Sequence, residues 1–523
     1  VQKDGEFTYV ELSHAEDKEM ASSMFKSKLV IIDEVSMVSN VALMFVHQRL
    51  SGMLQRKDGV PFAGFNVVVL GDLLQLPPVD RNHMGSCFEA IQRRHWKKAF
   101  PGSVVNPFKA GIWREFGYTE LTENMRQKGD AKYADMLNDI RIGKVDEAEA
   151  ELKKRVWVSP TGKTGLEAEI ELLRKLKLED KRPVCLVPKR VKALELNLAM
   201  LVEENVKVRY VHSVDTRSAG NRKGKASGGG YRDAPKGSDY PAIKEYLEKY
   251  NKAEKDKKKT ANSPAVVALG EGARVMLTKN VCLEKGLFNG AMGVVSGFLM
   301  SRKAANQVVG VKVRFDVNPF FEEVVERKAV TFEPSKGILV LREQFPLALS
   351  YAITVHKSQG LSLDCVVADL GPDVFETGQA YVALSRARSL DGLYLLDFCK
   401  EIISYDPKCV AEYNRLRKAF TSLGPLEAGV HVPLPLRVTR PMKRSVEQMM
   451  SGISPTKPVQ AKRVRFADEL TEEQLMKALE GEAPPGDAAA ETAEEGDDGI
   501  SIERIPVAPV LEEAVAVEDE AQG

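Results

Sequence analysis

An α/β architecture with parallel sheets, interrupted by one small antiparallel insertion, is predicted by three observations. Short apolar runs alternate with helical patterns along most of the first 420 residues. Residues 287–345 instead alternate β-branched and aromatic residues between turn glycines at Gly290, Gly293, Gly297 and Gly310. The chain is 43% hydrophobic and 28% charged over 523 residues, an ordinary globular composition with apolar mass for more than one core.

The apolar runs are Leu29–Ile32, Val67–Leu70, Val184–Val187, Val266–Leu269, Cys365–Ala368 and Leu393–Leu396. Runs of this kind read as strands buried on both faces, and the helices between them make parallel pairing the expected connection. The expected order is a first α/β unit over 1–155, the start of a second over 156–286, a small antiparallel β-barrel over 287–345, and the remainder of the second unit over 346–420. Within the second unit, 215–263 is expected to be a poorly ordered basic insertion. It is rich in Gly and Lys and has few apolar residues to offset the entropy of ordering. Only Tyr240–Tyr250 has the pattern of a short helix there. Residues 421–467 read as a basic, Pro-containing linker and 468–523 as a disordered acidic tail. One lone helix is expected in the tail behind the capping box Thr471-Glu-Glu-Gln474.

Charge sharpens this division. The net of +1 is a cancellation: residues 468–523 hold 18 acidic and two basic groups, leaving +17 on the first 467 residues. A basic body attracts phosphates, and an acidic tail competes for the same surface. No apolar stretch approaches the ~20 residues that span a bilayer, so no membrane partner is expected. The six cysteines form no C-x-x-C pair, which argues against a zinc site and for a reducing compartment.

The chemistry begins at Leu29-Val-Ile-Ile-Asp33-Glu34, a strand delivering two carboxylates at its C-terminal end, where α/β sheets place ligands. In a nucleotide hydrolase the first such carboxylate holds Mg²⁺ through water and the second polarises the attacking water. The alternative is a solvated strand end. Val67–Leu70 repeats the geometry, with Gly71-Asp72-Leu-Leu-Gln75-Leu-Pro-Pro78 after it. A neutral amide at Gln75 can sense a γ-phosphate or its attacking water, and the alternative is a structural Pro-rich turn. Arg126 and Arg386 stand beside apolar anchoring residues. The planar fork of Arg suits phosphate, although such residues also form surface ion pairs. Between them lies Thr354-Val-His356-Lys-Ser-Gln359-Gly360, a polar loop behind a strand.

Six segments occur in order: Asp-Glu-Val-Ser-Met-Val, Gly-Asp-Leu-Leu-Gln-Leu-Pro-Pro-Val, Leu-Thr-Glu-Asn-Met-Arg-Gln, Val-Met-Leu-Thr-Lys-Asn with Gly-Leu-Phe-Asn-Gly, His-Lys-Ser-Gln-Gly-Leu-Ser-Leu-Asp and Tyr-Val-Ala-Leu-Ser-Arg-Ala. As a set, spanning roughly residues 10–415, they resemble the petite-integration-frequency (Pif) DNA helicases, relatives of RecD in helicase superfamily one. The resemblance implies two RecA-like P-loop-type motor domains, the first incomplete, with a small β-barrel inserted in the second. It implies ATP and Mg²⁺ as ligands and 5′-to-3′ movement on single-stranded and forked DNA. Repair, recombination, replication and telomere maintenance are the implied processes. A monomer is implied, working in the nucleus, with the mitochondrion as the alternative.

Matched by position, Asp33 would organise Mg²⁺, Glu34 would activate water and Gln75 would sense the γ-phosphate. Arg126 and Arg386 would contact that phosphate, Arg386 as arginine finger. Gln359 and Gly360 would border the nucleotide, and Thr354 and His356 would couple it to DNA. Leu73 and Met125 replace aromatic residues usual in the family.

The family also needs G-x-x-x-x-G-K-[ST] ahead of the Asp-Glu strand, and the 32 residues before Asp33 do not contain it. Thr161-Gly-Lys-Thr164 looks similar but lacks the first Gly, since position 157 is Trp, and reads as an exposed turn. With no initiator Met, this gap suggests an N-terminally truncated sequence. The alternative is a catalytically inactive single-strand DNA-binding or regulatory relative. Finally, Arg463-Val464-Arg-Phe466 resembles the docking motif for protein phosphatase one, with a nuclear-import basic patch or a nonspecific DNA contact as the blander readings.

Overall fold

The computed structural model describes residues 2–429, apart from 4–5, 13, 25, 54–59, 80–84, 102–105, 220–221, 229–239, 252–259, 261–262, 302–306 and 336–337. The linker beyond 429, the acidic tail, its capping box and the docking motif Arg463, Val464 and Phe466 lie outside the described residues.

In the first unit, strands Leu29–Ile32 and Asn66–Val69 pair in parallel, with Ile32 opposite Val69. Their exposure alternates: Leu29, Ile31 and Val68 are exposed, whereas Val30, Ile32, Val67 and Val69 pack inward. This differs from the expectation of strands buried on both faces, because among the described residues only one face of this pair is covered. The covering layer includes the helix Asn40–Met53 with Val41, Leu43, Met44 and Leu50, and the aromatic pair Trp96 and Phe100, stacked at 4.3 Å. A helix from far along the chain, Pro407–Phe420, joins the same core through Cys409, Tyr413 and Leu416.

The second unit has a four-stranded parallel sheet in the order Ala352–Thr354, Val184–Val187, Val366–Leu370, Leu393–Phe398. Here the apolar runs behave as expected, since Val184–Val187 and Val366–Leu370 are buried at every position. The core on this sheet also takes Tyr133, Leu137 and Ile140 from the helix Ala131–Arg141, and Ala148 and Leu152 from Asp146–Lys154. Residues before 155 therefore pack into the second core and residues after 400 into the first. Two further helices, Leu166–Leu178 and Arg190–Glu203, are pinned to the sheet by a largely buried triad. Lys192 Nζ lies 2.7 Å from both Glu169 Oε1 and Asp369 Oδ2.

The antiparallel region is wider than expected. One sheet runs Glu322–Val325, Val308–Phe315, Met292–Met300, Arg274–Leu277, Leu347–Leu349, so strands on both sides of 287–345 join it. A second sheet runs Lys328–Ser335, Ile338–Gln344, Val214–Ala219, Arg222–Gly228. Two stretches expected to be disordered are thus strands, held by backbone pairing such as Val340 with Arg217. The helix Tyr240–Tyr250 is present, and the run Val266–Leu269 pairs antiparallel with Arg209–His212 rather than joining the parallel sheet. No helix among the described residues is long and apolar enough to cross a membrane. All six cysteines are free.

The two units meet closely at Gly378, the N-cap of the helix Gln379–Leu384. Its φ is +73°, and a Cβ there would stand 2.7 Å from the backbone oxygens of Leu74 and Gln75. Gly378→Ala should therefore lower stability by about 1–3 kcal/mol from backbone strain alone. A shift of the urea midpoint to lower concentration at unchanged m-value checks this.

Candidate nucleotide site between the two α/β units

Asp33 and Glu34 follow the strand Leu29–Ile32 directly. Asp33 is exposed, and its Oδ1 accepts a 2.8 Å bond from the Glu34 amide. Glu34 sits in the left-handed region at φ 52° and ψ 48°, where a residue with a Cβ is strained. The turn holds because Val35 N donates to Leu70 O at 2.9 Å. Gly71 must be glycine, since its φ is +149° and a Cβ would stand 2.8 Å from Val35 N. Each of these features aims the Glu34 carboxylate across to the other unit, where Gln359 Nε2 donates to its Oε2 at 2.7 Å. The Oε1 atoms of both Gln359 and Gln75 are buried without a partner. Orphaned buried acceptors are costly, so a donor missing from the protein, such as a positioned water, fits both.

Two arginines approach from the second unit's side. Arg126 Nε donates to Ser362 Oγ at 2.8 Å and its Nη1 to Ser385 O at 3.3 Å. Gln127, 2% exposed, fastens that loop by donating to Ala387 O at 2.6 Å. Arg386 is 1% exposed. It donates to Val382 O at 2.9 Å, to Ser385 Oγ at 2.8 Å and, weakly, to Leu361 O at 3.4 Å. No carboxylate lies within ion-pair distance of either guanidinium among the described residues. Burial, followed by repulsion from Arg126, pulls the Arg386 pKa down to about 10. Burial likewise lowers that of Arg126. Both stay charged at neutral pH. A buried cation without a counter-ion is expensive, and buried Arg386 with half-buried Arg126 beside it describes a place built for an anion.

Asp72, at the end of the second strand, is not available to that site. Arg141 grips it through Nε to Oδ2 at 2.9 Å and Nη2 to Oδ1 at 2.7 Å, and Tyr413 Oη donates at 3.0 Å. Burial pushes the Asp72 carboxyl up, but these contacts outweigh it and the net direction is down. The network forms a wall of a cavity of about 570 Å³ that also borders Gly71, Asn124 and Tyr381. Neither Arg141 nor Gln127 was singled out by sequence reasoning. For Gln127 the available signal was its place beside Arg126, whereas Arg141 carried none.

Thr354 ends its strand buried at 6% exposure, and His356 follows in a short 3₁₀ turn. The His356 ring stacks on Phe375 at 5.9 Å and 14°. Burial and then the charge of Arg190 lower its pKa, so it is neutral at pH 7 and adds no positive charge to the loop. Gly360 faces Glu34, with 3.7 Å between its Cβ position and Glu34 Oε1. The stretch Thr161–Thr164 is an exposed turn in which Thr161 Oγ1 meets the Glu171 carboxylate at 3.0 Å. Asp33, Glu34, Gln75, Arg126, Gln359, Gly360 and Arg386 thus come to the seam between the units, while Thr354 and His356 stand behind it.

A nearby pair gives the chain an acid-sensitive contact. The bond from Arg417, Nε to Glu120 Oε2 at 2.8 Å, holds the Glu120 carboxyl below its ordinary range. A depressed folded-state pKa contributes stability above the unfolded value and loses it as pH falls through the folded one. Glu120→Gln should therefore be less stable than the unaltered chain at pH 7, with the difference shrinking as pH falls below the ordinary carboxylate range, read by thermal unfolding.

Two α/β units meeting at a seam of carboxylates, amides and arginines define the RecA-like motor fold. A family model described as PIF1-like helicase matches residues 4–151. The ATP-dependent DNA helicase PIF1 of Danio rerio is 31% identical over 401 residues, 75% of this chain and 50% of that protein. The protein of the same name from Homo sapiens is 30% identical over 391 residues, 74% of this chain and 49% of its own length. The crystal structure of Pif1 helicase from Candida albicans superposes with a TM-score of 0.53 at 27% identity, covering 77% of this chain and 80% of that one. The chain is thus similar to Pif1 helicases over about three quarters of its length. It spans about half the length of the animal relatives it matches.

Proposed function

We propose that this chain is the motor portion of an ATP-dependent DNA helicase. It moves 5′ to 3′ along single-stranded DNA, opens forks and works as a monomer in the nucleus. It serves repair, recombination, replication and telomere maintenance. The observation that carries the reading is the pair of arginines across from Glu34, buried Arg386 and half-buried Arg126, neither with a carboxylate in ion-pair distance among the described residues. Similarity to Pif1 helicases and the +17 charge of the first 467 residues support DNA as partner.

In this reading the triphosphate lies at the seam. Asp33 would hold Mg²⁺, which would supply positive charge against the phosphates. Glu34 orients and polarises the attacking water once Gln359 yields its carboxylate. Gln75 senses the γ-phosphate, and Arg126 and Arg386 neutralise it from the opposite unit. Bound nucleotide draws the units together and hydrolysis releases them, while Thr354 and His356 pass that movement to the DNA grip. The phosphate loop required for binding is not among these 523 residues. The test accordingly uses the full-length gene product.

Glu34→Gln should lower DNA-stimulated ATP hydrolysis by about 10²–10⁴-fold and leave single-strand DNA affinity unchanged. Equal hydrolysis by both proteins would overturn the assigned chemistry. DNA binding with no hydrolysis by the unaltered protein would favour a catalytically silent single-strand binder.

A further inference from the structure

The far edge of the second unit carries a feature that the nucleotide seam does not use. A cavity of about 400 Å³ lies where the parallel sheet meets the larger antiparallel one, with Pro183 and Tyr351 in its wall. Those residues precede Val184–Val187 and Ala352–Thr354, whose opposite ends lead toward the motif loop. At about 3.3 Å per residue, a strand length of roughly 10–13 Å separates the cavity from Thr354 and His356.

Five cations line this cavity against three carboxylates, Asp180, Glu204 and Asp316, and Glu204 is taken by Lys177 and Tyr351. One carboxylate, Asp316, serves two guanidiniums: Arg182 Nη1 at 3.2 Å and Arg274 Nη1 at 2.7 Å. The Arg274 Nε is buried and has no acceptor. A third cation, Arg314, pairs across the strands with Glu322, but that carboxylate lies 3.4 Å from Lys312. No carboxylate lies within ion-pair distance of Arg314 among the described residues, and its side chain is exposed at the cavity. Directly after Asp316, the turn that walls the cavity at Pro319 carries two consecutive aromatics, Phe320 and Phe321, 90% and 64% exposed. Two adjacent phenylalanines held in water are unfavourable and mark a contact surface.

We propose that this cavity and its aromatic turn form a second nucleic-acid site, which takes a backbone phosphate on Arg314 and Arg182 and an unpaired base on Phe320 or Phe321. Cations beside stacking platforms are what sequence-independent single-strand binding requires. The site lies away from the Thr354 loop, so it engages only a strand long enough to reach both. The inference rests on the DNA-motor reading and adds to it a second hold on the strand.

The test uses the full-length protein and oligothymidylates of about 10 and 40 nucleotides, a range set by single-strand site sizes. Phe320→Ala/Phe321→Ala should weaken both oligonucleotides about tenfold, since even ten nucleotides, at about 3.4 Å or more each, outreach the separation of the two sites. Arg314→Ala should reduce the slope of log affinity against log salt for the long oligonucleotide by about 0.7. Iododeoxyuridine photo-crosslinking should label residues 317–323. All three positions are exposed, so folding is not at stake. Unchanged affinity for the long oligonucleotide, or crosslinks confined to other segments, would overturn the second site while DNA binding itself stood. Failure of the unaltered protein to bind either length would instead overturn the DNA-motor reading, and this site with it.

Discussion

Arg386→Ala should reduce DNA-stimulated ATP hydrolysis by the full-length protein about 10³–10⁵-fold, the range expected for an arginine that neutralises a transferring phosphoryl group. Arg386→Lys should recover little of it, because the ammonium keeps the charge and loses the planar fork. Arg386 is buried, and no carboxylate lies within ion-pair distance of it among the described residues. Arg386 spends its donors on Val382 O, Ser385 Oγ and Leu361 O, and the last bond, at 3.4 Å, is weak enough to exchange for a phosphate oxygen. Its neighbour Arg126 repels it, and that repulsion is relieved when an anion enters. Hydrolysis rates at saturating ATP and DNA check the prediction, with single-strand affinity as the control for folding.

The largest expected effect on stability lies elsewhere, at Lys192. Its ammonium sits between Glu169 and Asp369, whose side chains are 10% and 6% exposed. Burial raises the Glu169 carboxyl even with Lys192 present, and Glu169 Oε2 has no hydrogen-bond partner. Lys192→Met would leave two buried carboxylates facing each other, at a cost of about 3–5 kcal/mol. Adding Glu169→Gln and Asp369→Asn should recover more than half of the loss, because the penalty is the uncompensated charge and not the missing bridge. Urea unfolding of the three proteins measures both steps. Equal midpoints for Lys192→Met and the unaltered protein would refute the account of the triad.

Where local pattern decides structure, the sequence was legible. Val184–Val187 is a strand over its full expected length, and Tyr240–Tyr250 forms the helix its pattern indicates. The Asp33-Glu34 and Gln75 segments come to one seam because each follows a parallel strand directly. Legibility failed where a distant partner decides. Val214–Ala219 and Arg222–Gly228 are weak strand formers by composition, yet pairing with Ile338–Gln344, more than a hundred residues away, makes them a sheet. Val266–Leu269 has the composition of a buried parallel strand, and its neighbour Arg209–His212 places it in an antiparallel pair.

Asp72 is the instructive case within the site. Read along the chain it matches Asp33, an acid at a strand end. Its role is set by Arg141 and Tyr413, 69 and 341 residues further on. No spacing rule reaches that far. The same holds for the unit boundary: Tyr133 and Leu137 pack under the second sheet, and Tyr413 and Leu416 return to the first core. Helices that cross between cores tie the two units together.

The central claim is that nucleotide is shared across the seam, with carboxylates from one unit and arginines from the other. A crystal structure of the full-length protein with ADP and aluminium fluoride, a mimic of the transferring phosphoryl group, tests this most directly. The fluoride group should lie within hydrogen-bond distance of both Arg126 and Arg386, with the Gln359–Glu34 bond broken and Glu34 turned toward the water position. A bound mimic with Arg386 still donating to Val382 O and Leu361 O, and Gln359 still on Glu34, would contradict that claim.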